Sequence, residues 1–195
     1  MEKHNIHNNK RLSLRSFQER LAIRSRGISA FGYRSLQPND VEAVFAVARE
    51  AWQFTYATVF DPAFIDQFVR TNYAPERLRD LVPLIEASQI CFDVALDADQ
   101  IIGFCNIGPS AHGAQLFRIY LRPAYIGRGI GSALLTRGES FVHTRGFVSY
   151  YCFVHKDNEL GKRLYLRHGF RHHPAFDQSD EWYMEKQING DQVIS

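Results

Sequence analysis

Apolar and polar positions along this chain alternate between a period of two and a helical period, and the switches mark its elements. Phe31 to Leu36 predicts a first strand. Val41, Val44, Phe45, Ala48, Trp52 and Tyr56 then follow the helical period, and Pro38-Asn39-Asp40-Val41-Glu42 predicts the helix start, with Asn39 as cap and Glu42 three positions later. Asp61-Pro62 opens a second helix carrying Phe64, Ile65, Phe68 and Val69, and Pro75 to Ser88 predicts another helical stretch, broken near Pro83. Ile90 to Leu96 and Ile101 to Gly108 alternate as two strands around the turn Asp97-Ala98-Asp99-Gln100, and Pro109 to Gly113 follows as a loop. Gln115 to Leu121 is a central strand, apolar from Leu116 and ended by Pro123, because proline cannot donate to a sheet ladder. A helix comes next, with Ile130, Leu134 and Phe141 on one stripe. Phe147 to Val154 is a strand, and a helix starts at Lys156-Asp157-Asn158 with Asp157 as cap. It stops at Gly169, with Phe170 as the apolar follower of a left-handed end, before a last strand, Glu181 to Ile188. Such a succession predicts one mixed α/β domain.

Between the central strand and its helix stand three glycines at alternate positions, Gly127, Gly129 and Gly131, in Tyr120-Leu-Arg-Pro-Ala-Tyr-Ile-Gly-Arg-Gly-Ile-Gly-Ser-Ala-Leu-Leu135. At a helix N-terminus the first N–H groups have no partner inside the helix, and their partial positive charge suits an anion. Glycine lets a phosphate approach the main chain, and Arg128 adds a full charge. The loop is not a P-loop, which needs Gly-Lys-Ser/Thr after four free positions. Nor is it the dinucleotide fingerprint, since it reads G-x-G-x-G and the region around Tyr150 and Tyr151 holds no carboxylate.

The loop resembles the pyrophosphate loop of the GNAT superfamily of acyl-CoA N-acyltransferases, written Gln/Arg-x-x-Gly-x-Gly/Ala after an apolar strand and Val/Leu-x-Pro. Leu121-Arg122-Pro123 and Gly129-Ile130-Gly131 match, while Ile126 stands where the family has Gln or Arg. A second family motif, Asn-x-x-Ala-x-x-x-Tyr-x-x-x-Gly-Phe, is similar to Asn158-Glu-Leu-Gly161-Lys-Arg-Leu-Tyr165-Leu-Arg-His-Gly169-Phe170, with Gly161 in place of Ala. Asn158, Gly161 and Tyr165 fall on one helix face. The resemblance covers about Ala30 to Ile188. It implies a single GNAT-type domain whose mostly antiparallel sheet is splayed between two central strands and flanked by helices. It implies acetyl-CoA as cosubstrate, held by Tyr120, Leu121, Gly127, Arg128, Gly129, Ile130, Gly131, Ser132, Asn158 and Tyr165. A homodimer is compatible with it.

Composition narrows the rest. With 195 residues, 45% of them hydrophobic, the chain suits one globular domain with a substantial core. A net charge of +2 does not argue for nucleic acid, and no nucleic-acid motif or repeat is present. Residues 1–27 hold seven Lys/Arg and two Glu. Within them Arg11 to Arg26 carries Leu12, Phe17, Leu21 and Ile23 among arginines, a weak basic amphipathic helix of the kind used by transit peptides and membrane-surface segments. Glu19 interrupts its apolar face, which favours a plain extension (1–29) outside the domain (30–188), or an upstream start codon; 189–195 is a polar tail. Cys91, Cys105 and Cys152 are odd in number and lie in apolar runs, which suits buried thiols in a reducing, cytoplasmic compartment. No run is long enough to span a membrane. His168, His172 and His173 with Cys152 fit no metal-site spacing.

The expected chemistry is transfer of an acetyl group to a primary amine of a small molecule or peptide, by direct attack through a tetrahedral intermediate. In the family a bulge near Tyr120–Leu121 turns a backbone N–H toward the oxyanion. Tyr165, with a free pKa of about 10, arrives protonated and can serve the leaving thiolate. Trp52, Tyr56, Phe60 and Asp66 are candidates for the acceptor wall, since the first two helices flank that site in the family; packing of the aromatics and solvation of the acid is the plainer alternative. Gln115 stands near a position where many family members carry Glu, and it cannot act as a base; His155 and Glu181 are weaker candidates for that role. A catalytically silent acyl-CoA-binding sensor or partner module of the same fold is the competing function, kept open by Ile126 and Gln115.

Overall fold

The computed structural model describes residues 31–188; the N-terminal extension and the polar tail lie outside the described residues. Seven strands form one sheet: β1 (Gly32–Ser35), β2 (Cys91–Asp97), β3 (Gln100–Ser110), β4 (Gly113–Leu121), β5 (Ser149–His155), β6 (Arg171–His172) and β7 (Glu181–Gln187). Their order is β1-β2-β3-β4-β5-β7-β6, and every neighbour pair is antiparallel except β4 with β5.

Helices α1 (Val41–Tyr56), α2 (Pro62–Tyr73), α3 (Pro75–Arg79) and α4 (Val82–Glu86) follow β1; α5 (Ile130–Thr144) follows β4, and α6 (Glu159–Arg167) follows β5. The buried stripe of α1, with Val41, Val44, Ala48, Trp52 and Tyr56, packs into one cluster with Ile65, Val69 and Tyr73 of α2 and Phe92, Val94 and Phe104 of the sheet. Removing these side chains from water is the main driving force for closing the helices over the sheet. On α5 the buried stripe runs through Ile130, Leu134, Leu135 and Val142, so Phe141, expected there, gives way to its neighbour.

Three local expectations are corrected. The start of α1 is fixed by Asp40, not Asn39: its carboxylate accepts from the Gln37 N–H at 2.7 Å and from Arg34 Nη2 at 2.9 Å. The cap of α6 is Asn158, not Asp157, with Oδ1 accepting from the Gly161 N–H at 2.8 Å. Pro109 lies in β3 rather than in a loop. The β2 ladder ends at Cys91↔Ile107, so no strand lies beyond it to need the donor that Pro109 lacks.

A charged group ties α5 to the far side of the sheet. Glu139 of α5 accepts from Tyr150 Oη at 2.7 Å and from Lys186 Nζ, and lies 3.2 Å from His168 Nε2. Burial alone would raise its carboxyl; the neighbouring His168 and the hydrogen bonds from Lys186 and Tyr150 outweigh this and lower it to about 2. A carboxyl depressed in the folded state stabilises above its unfolded pKa of 4.5 and loses that stabilisation as pH falls toward 2. The difference corresponds to on the order of 3 kcal/mol. Glu139→Gln should therefore flatten the acid limb of the unfolding free energy between about pH 4.5 and 2.5. Urea unfolding of both proteins across that range measures it; parallel acid limbs would show that Glu139 does not set them.

Candidate functional site

Strands β4 and β5 are hydrogen-bonded partners only at Ala114↔Tyr150 and Gln115↔Tyr151. Beyond that point they part. The closed end is pinned by side chains: Tyr151 Oη donates to Gln115 Oε1 at 3.0 Å and lies 2.8 Å from Ser110 Oγ. Gln115 is thus a clamp at the base of the cleft and lines neither cavity described below.

Where β5 departs, β4 keeps only β3 as partner. The Arg122 N–H donates to Ile102 O at 2.8 Å, which sets the phase of the ladder. In an antiparallel pair alternate residues turn their backbone groups toward the partner, so Tyr120 and Arg118 face β3, while Ile119 and Leu121 present N–H and C=O to the open cleft. The expected bulge near Tyr120–Leu121 is displaced: the β3–β4 register shifts at Phe117, opposite the step Asn106–Ile107. The free N–H groups come from the parting of the strands, not from a bulge beside them.

Two cavities open on this cleft. One, of about 410 Å³, lies over the glycine loop and includes Ile126, Gly127, Gly129, Gly131, Ser132 and Arg167 in its wall. Gly127 and Gly129 have φ of +82° and +81°, a left-handed conformation that favours glycine. Gly129 supplies no side-chain cap, so the first N–H groups of the 15-residue helix α5 stay free. Arg167 carries the only full charge among the described residues of that wall.

The second cavity, of about 540 Å³, lies between β4, β5 and the helices α1 and α2. Trp52, Tyr56, Phe60, Phe64, Phe68 and Phe153 give it an aromatic lining, and Asp180 and Glu181 stand in its wall. Four residues line both cavities: Ile119, Tyr120, Asn158 and Tyr165.

The shared residues hold hydroxyls and an amide in set orientations. Tyr120 Oη accepts from Trp52 Nε1 at 3.1 Å and from Tyr73 Oη at 2.9 Å. Asn158 Nδ2 donates to Tyr56 Oη at 3.2 Å while its oxygen caps α6. A methyl on Gly161 would stand 3.0 Å from Asn158 Nδ2 and 3.1 Å from Val154 Cγ2, so glycine here lets Asn158 close over the helix end. Tyr165, 7% exposed, makes no hydrogen bond through its hydroxyl among the described residues. Burial, with smaller contributions from Cys152, Cys105, Tyr56 and Tyr73, raises its pKa well above 10, and burial first, then Tyr73 and Tyr56, does the same for Tyr120. Both are neutral O–H donors at any working pH.

Of the residues predicted for the coenzyme, Tyr120, Leu121, Gly127, Gly129, Gly131, Ser132, Asn158 and Tyr165 come together on one wall. Arg128 and Ile130 do not: the Arg128 guanidinium sits 5.0 Å over the Tyr125 ring, and the Ile130 side chain is buried in the core. Of the acceptor candidates, Trp52, Tyr56 and Phe60 line the larger cavity. Asp66 lines neither; it is paired with Arg70 at 2.7 Å on the outer side of α2. Phe64 and Phe68 belong with Phe60, and their i, i+4, i+8 spacing was the signal for them.

The profile of the acetyltransferase (GNAT) family matches residues 42–170. The chain belongs to that family. Acetyl-CoA is the family's acyl donor, and acetyl transfer is its reaction. Spermidine N(1)-acetyltransferase from Thermoplasma acidophilum is 32% identical over 139 residues, 71% of this chain and 86% of the relative. The PaiA N-acetyltransferase of Thermoplasma acidophilum, solved in complex with coenzyme A, superposes with a TM-score of 0.77 at 29% identity, over 82% of this chain and 99% of that one. YncA from Salmonella typhimurium, solved with acetyl-CoA, shares the fold at a TM-score of 0.64 and 17% identity, over 85% and 98% of the two chains. No described helix is long and apolar enough to cross a membrane.

Asn158 serves two partners, and substitution separates them. Asn158→Ala should cost about 1 kcal/mol of stability through the lost cap, whereas Asn158→Asp keeps the capping oxygen and should recover most of it. Chemical denaturation of the two variants measures this; equal losses would show that the bond to Tyr56, not the cap, carries the contribution.

Proposed function

We propose that this acetyltransferase moves the acetyl group of acetyl-CoA to a primary amine of a small molecule, with the coenzyme in the smaller cavity and the amine in the larger. One observation carries the reading: the two cavities lie on either side of the parted strands and meet at Ile119, Tyr120, Asn158 and Tyr165. A donor entering from one side and an acceptor from the other reach each other only there.

Each side suits its ligand. The free N–H groups at the start of α5 and the open glycine loop favour a pyrophosphate, and Arg167 supplies the positive charge that Ile126 lacks. The backbone groups of Ile119 and Leu121 can pair with the amides of an extended pantetheine arm as a further strand would. On the other side, aromatic faces and carboxylates suit an ammonium. The spermidine acted on by the Thermoplasma relative makes aliphatic amines the first acceptors to assay.

In the transfer step, a fixed N–H from Ile119 or Leu121 stabilises the oxyanion formed when the amine attacks the thioester carbon. Tyr165 gives its O–H proton to the sulfur as the C–S bond breaks and takes back the proton that the new amide nitrogen releases, so the thiol leaves neutral and the tyrosine ends protonated. Among the described residues its hydroxyl has no hydrogen-bond partner. Gln115, outside both cavities, takes no part, so its inability to act as a base does not argue for a silent domain.

Acetyl-CoA should raise the melting temperature of the wild-type chain, because it binds the native state. Gly131→Glu puts a carboxylate at the helix start and should abolish the shift; Gly131 is helical, so the variant avoids the strain that Gly129→Glu adds. A folded Gly131→Glu protein with the full shift would put the coenzyme elsewhere.

Tyr165→Phe keeps the ring and removes the donor. When chemistry limits turnover, kcat should fall by about 10²–10⁴-fold with little change in coenzyme affinity, while Tyr165→Ala should weaken coenzyme binding as well. Single-turnover rates with an accepted amine measure this, and an unchanged rate for Tyr165→Phe would reduce the tyrosine to packing.

A further inference from the structure

Glu181 opens β7 and stands opposite His155 in the β5–β7 ladder. Its carboxylate lines the larger cavity, and among the described residues it has no hydrogen bond and no ion pair. The other charges in that wall are committed. Asp180 is held by Lys156. Arg118 donates to Asn72 O at 3.2 Å, a carbonyl in the last turn of α2, and lies 4.9 Å over the Tyr73 ring. His155 is packed edge-on against Tyr56 and Phe60, at 5.8 and 5.3 Å between ring centres, and its Nδ1 lies 3.7 Å from Asp157. Burial raises the Glu181 pKa, opposed by His155, yet a carboxyl of this class remains ionised at neutral pH.

An uncommitted negative charge beside aromatic faces is an incomplete arrangement. Glu181 is exposed to water, so its charge is free to pair with a cation that also meets the ring faces. Phe60 stands 5.7 Å from Tyr56 and 4.9 Å from Phe64, so a continuous aromatic wall runs from the Asn158–Tyr56 contact at the shared end outward. The charge of Glu181 is felt at the Tyr56 hydroxyl: burial lifts that group to about 12, the Asn158 hydrogen bond opposes, and Tyr73 and Glu181 add to the rise.

We propose that Glu181 binds a second ammonium group of the acceptor, so that the enzyme selects diamines and longer polyamines over monoamines of the same length. This rests on placing the amine in the larger cavity. The reacting amine lies at the shared end, by Tyr165 and Asn158, and the carboxylate grips the other nitrogen, which takes no part in the chemistry. Glu181 is therefore a specificity determinant, and its contribution appears in KM and not in kcat.

The test compares 1,4-diaminobutane with 1-aminobutane as acetyl acceptors, and measures 1,4-diaminobutane binding by calorimetry in the presence of coenzyme A, where no transfer occurs. For the wild type, kcat/KM should favour the diamine. In Glu181→Gln the diamine should lose about 10–100-fold in kcat/KM through KM, with kcat and the monoamine unchanged. Glu181→Lys should turn the preference toward 4-aminobutanoate, whose far end is a carboxylate. Equal losses for both amines, a fall in kcat with a displaced pH profile, or an unaltered diamine preference would each overturn the proposal. Calorimetry separates this inference from the reading beneath it. Diamine binding that depends on Glu181 without acetylation of any amine would remove the acceptor assignment and keep the cation site. Acetylation of diamine and monoamine with equal efficiency would keep acetyl transfer and remove the cation site.

Discussion

Two residues of parallel pairing, where β4 meets β5, decide the shape of this molecule. A sheet that continued to pair would satisfy every backbone group and leave no site. Instead the strands diverge immediately past Gln115 and Tyr151, and a sheet pulled open along one seam must bury or expose the groups it frees. Side chains fill one part of the wedge, with Trp52 and Tyr73 reaching down from α1 and α2 to the hydroxyl of Tyr120. The rest stays open as two cavities. The clamp of Ser110, Tyr151 and Gln115 holds the closed end, so the divergence begins at a fixed place.

The parted strands also separate two electrostatic environments. On the α5 side are the free N–H groups of a helix start and Arg167, a setting for anions. On the α1–α2 side are aromatic faces and an unpaired carboxylate, a setting for cations. Only Ile119, Tyr120, Asn158 and Tyr165 belong to both, so the two environments meet at a single junction.

Much of this was legible because its signals are local. The glycine loop and the Asn158–Gly161–Tyr165 face each lie within one loop or one helix, and spacing alone brings their residues together. What was not legible depends on side-chain orientation and register in the folded chain. Arg128 reads from its spacing as a phosphate ligand, and its guanidinium lies over the ring of Tyr125. Asp66 read as a wall residue on a helix that does flank the site, but the rotation of α2 turns Ile65 and Val69 inward and leaves Asp66 to Arg70. The shift at Phe117 follows from register against β3, which no periodicity in β4 reveals. Glu181 reads as a weak candidate for a base; what marks it is a carboxylate with no hydrogen bond or ion pair among the described residues, a property of the assembled cavity.

The Tyr120 hydroxyl is saturated as an acceptor. Trp52 Nε1 can only donate, and Tyr73 donates as well, so both lone-pair directions of the Tyr120 oxygen are taken. Its own O–H must then point to something other than these two neighbours, and the residue lines both cavities. Tyr120 and Tyr165 thus present O–H donors at the junction, both kept protonated by burial. In the resting site neither titrates near neutral pH. The junction therefore meets both cavities with the same two donors on either side of neutral pH.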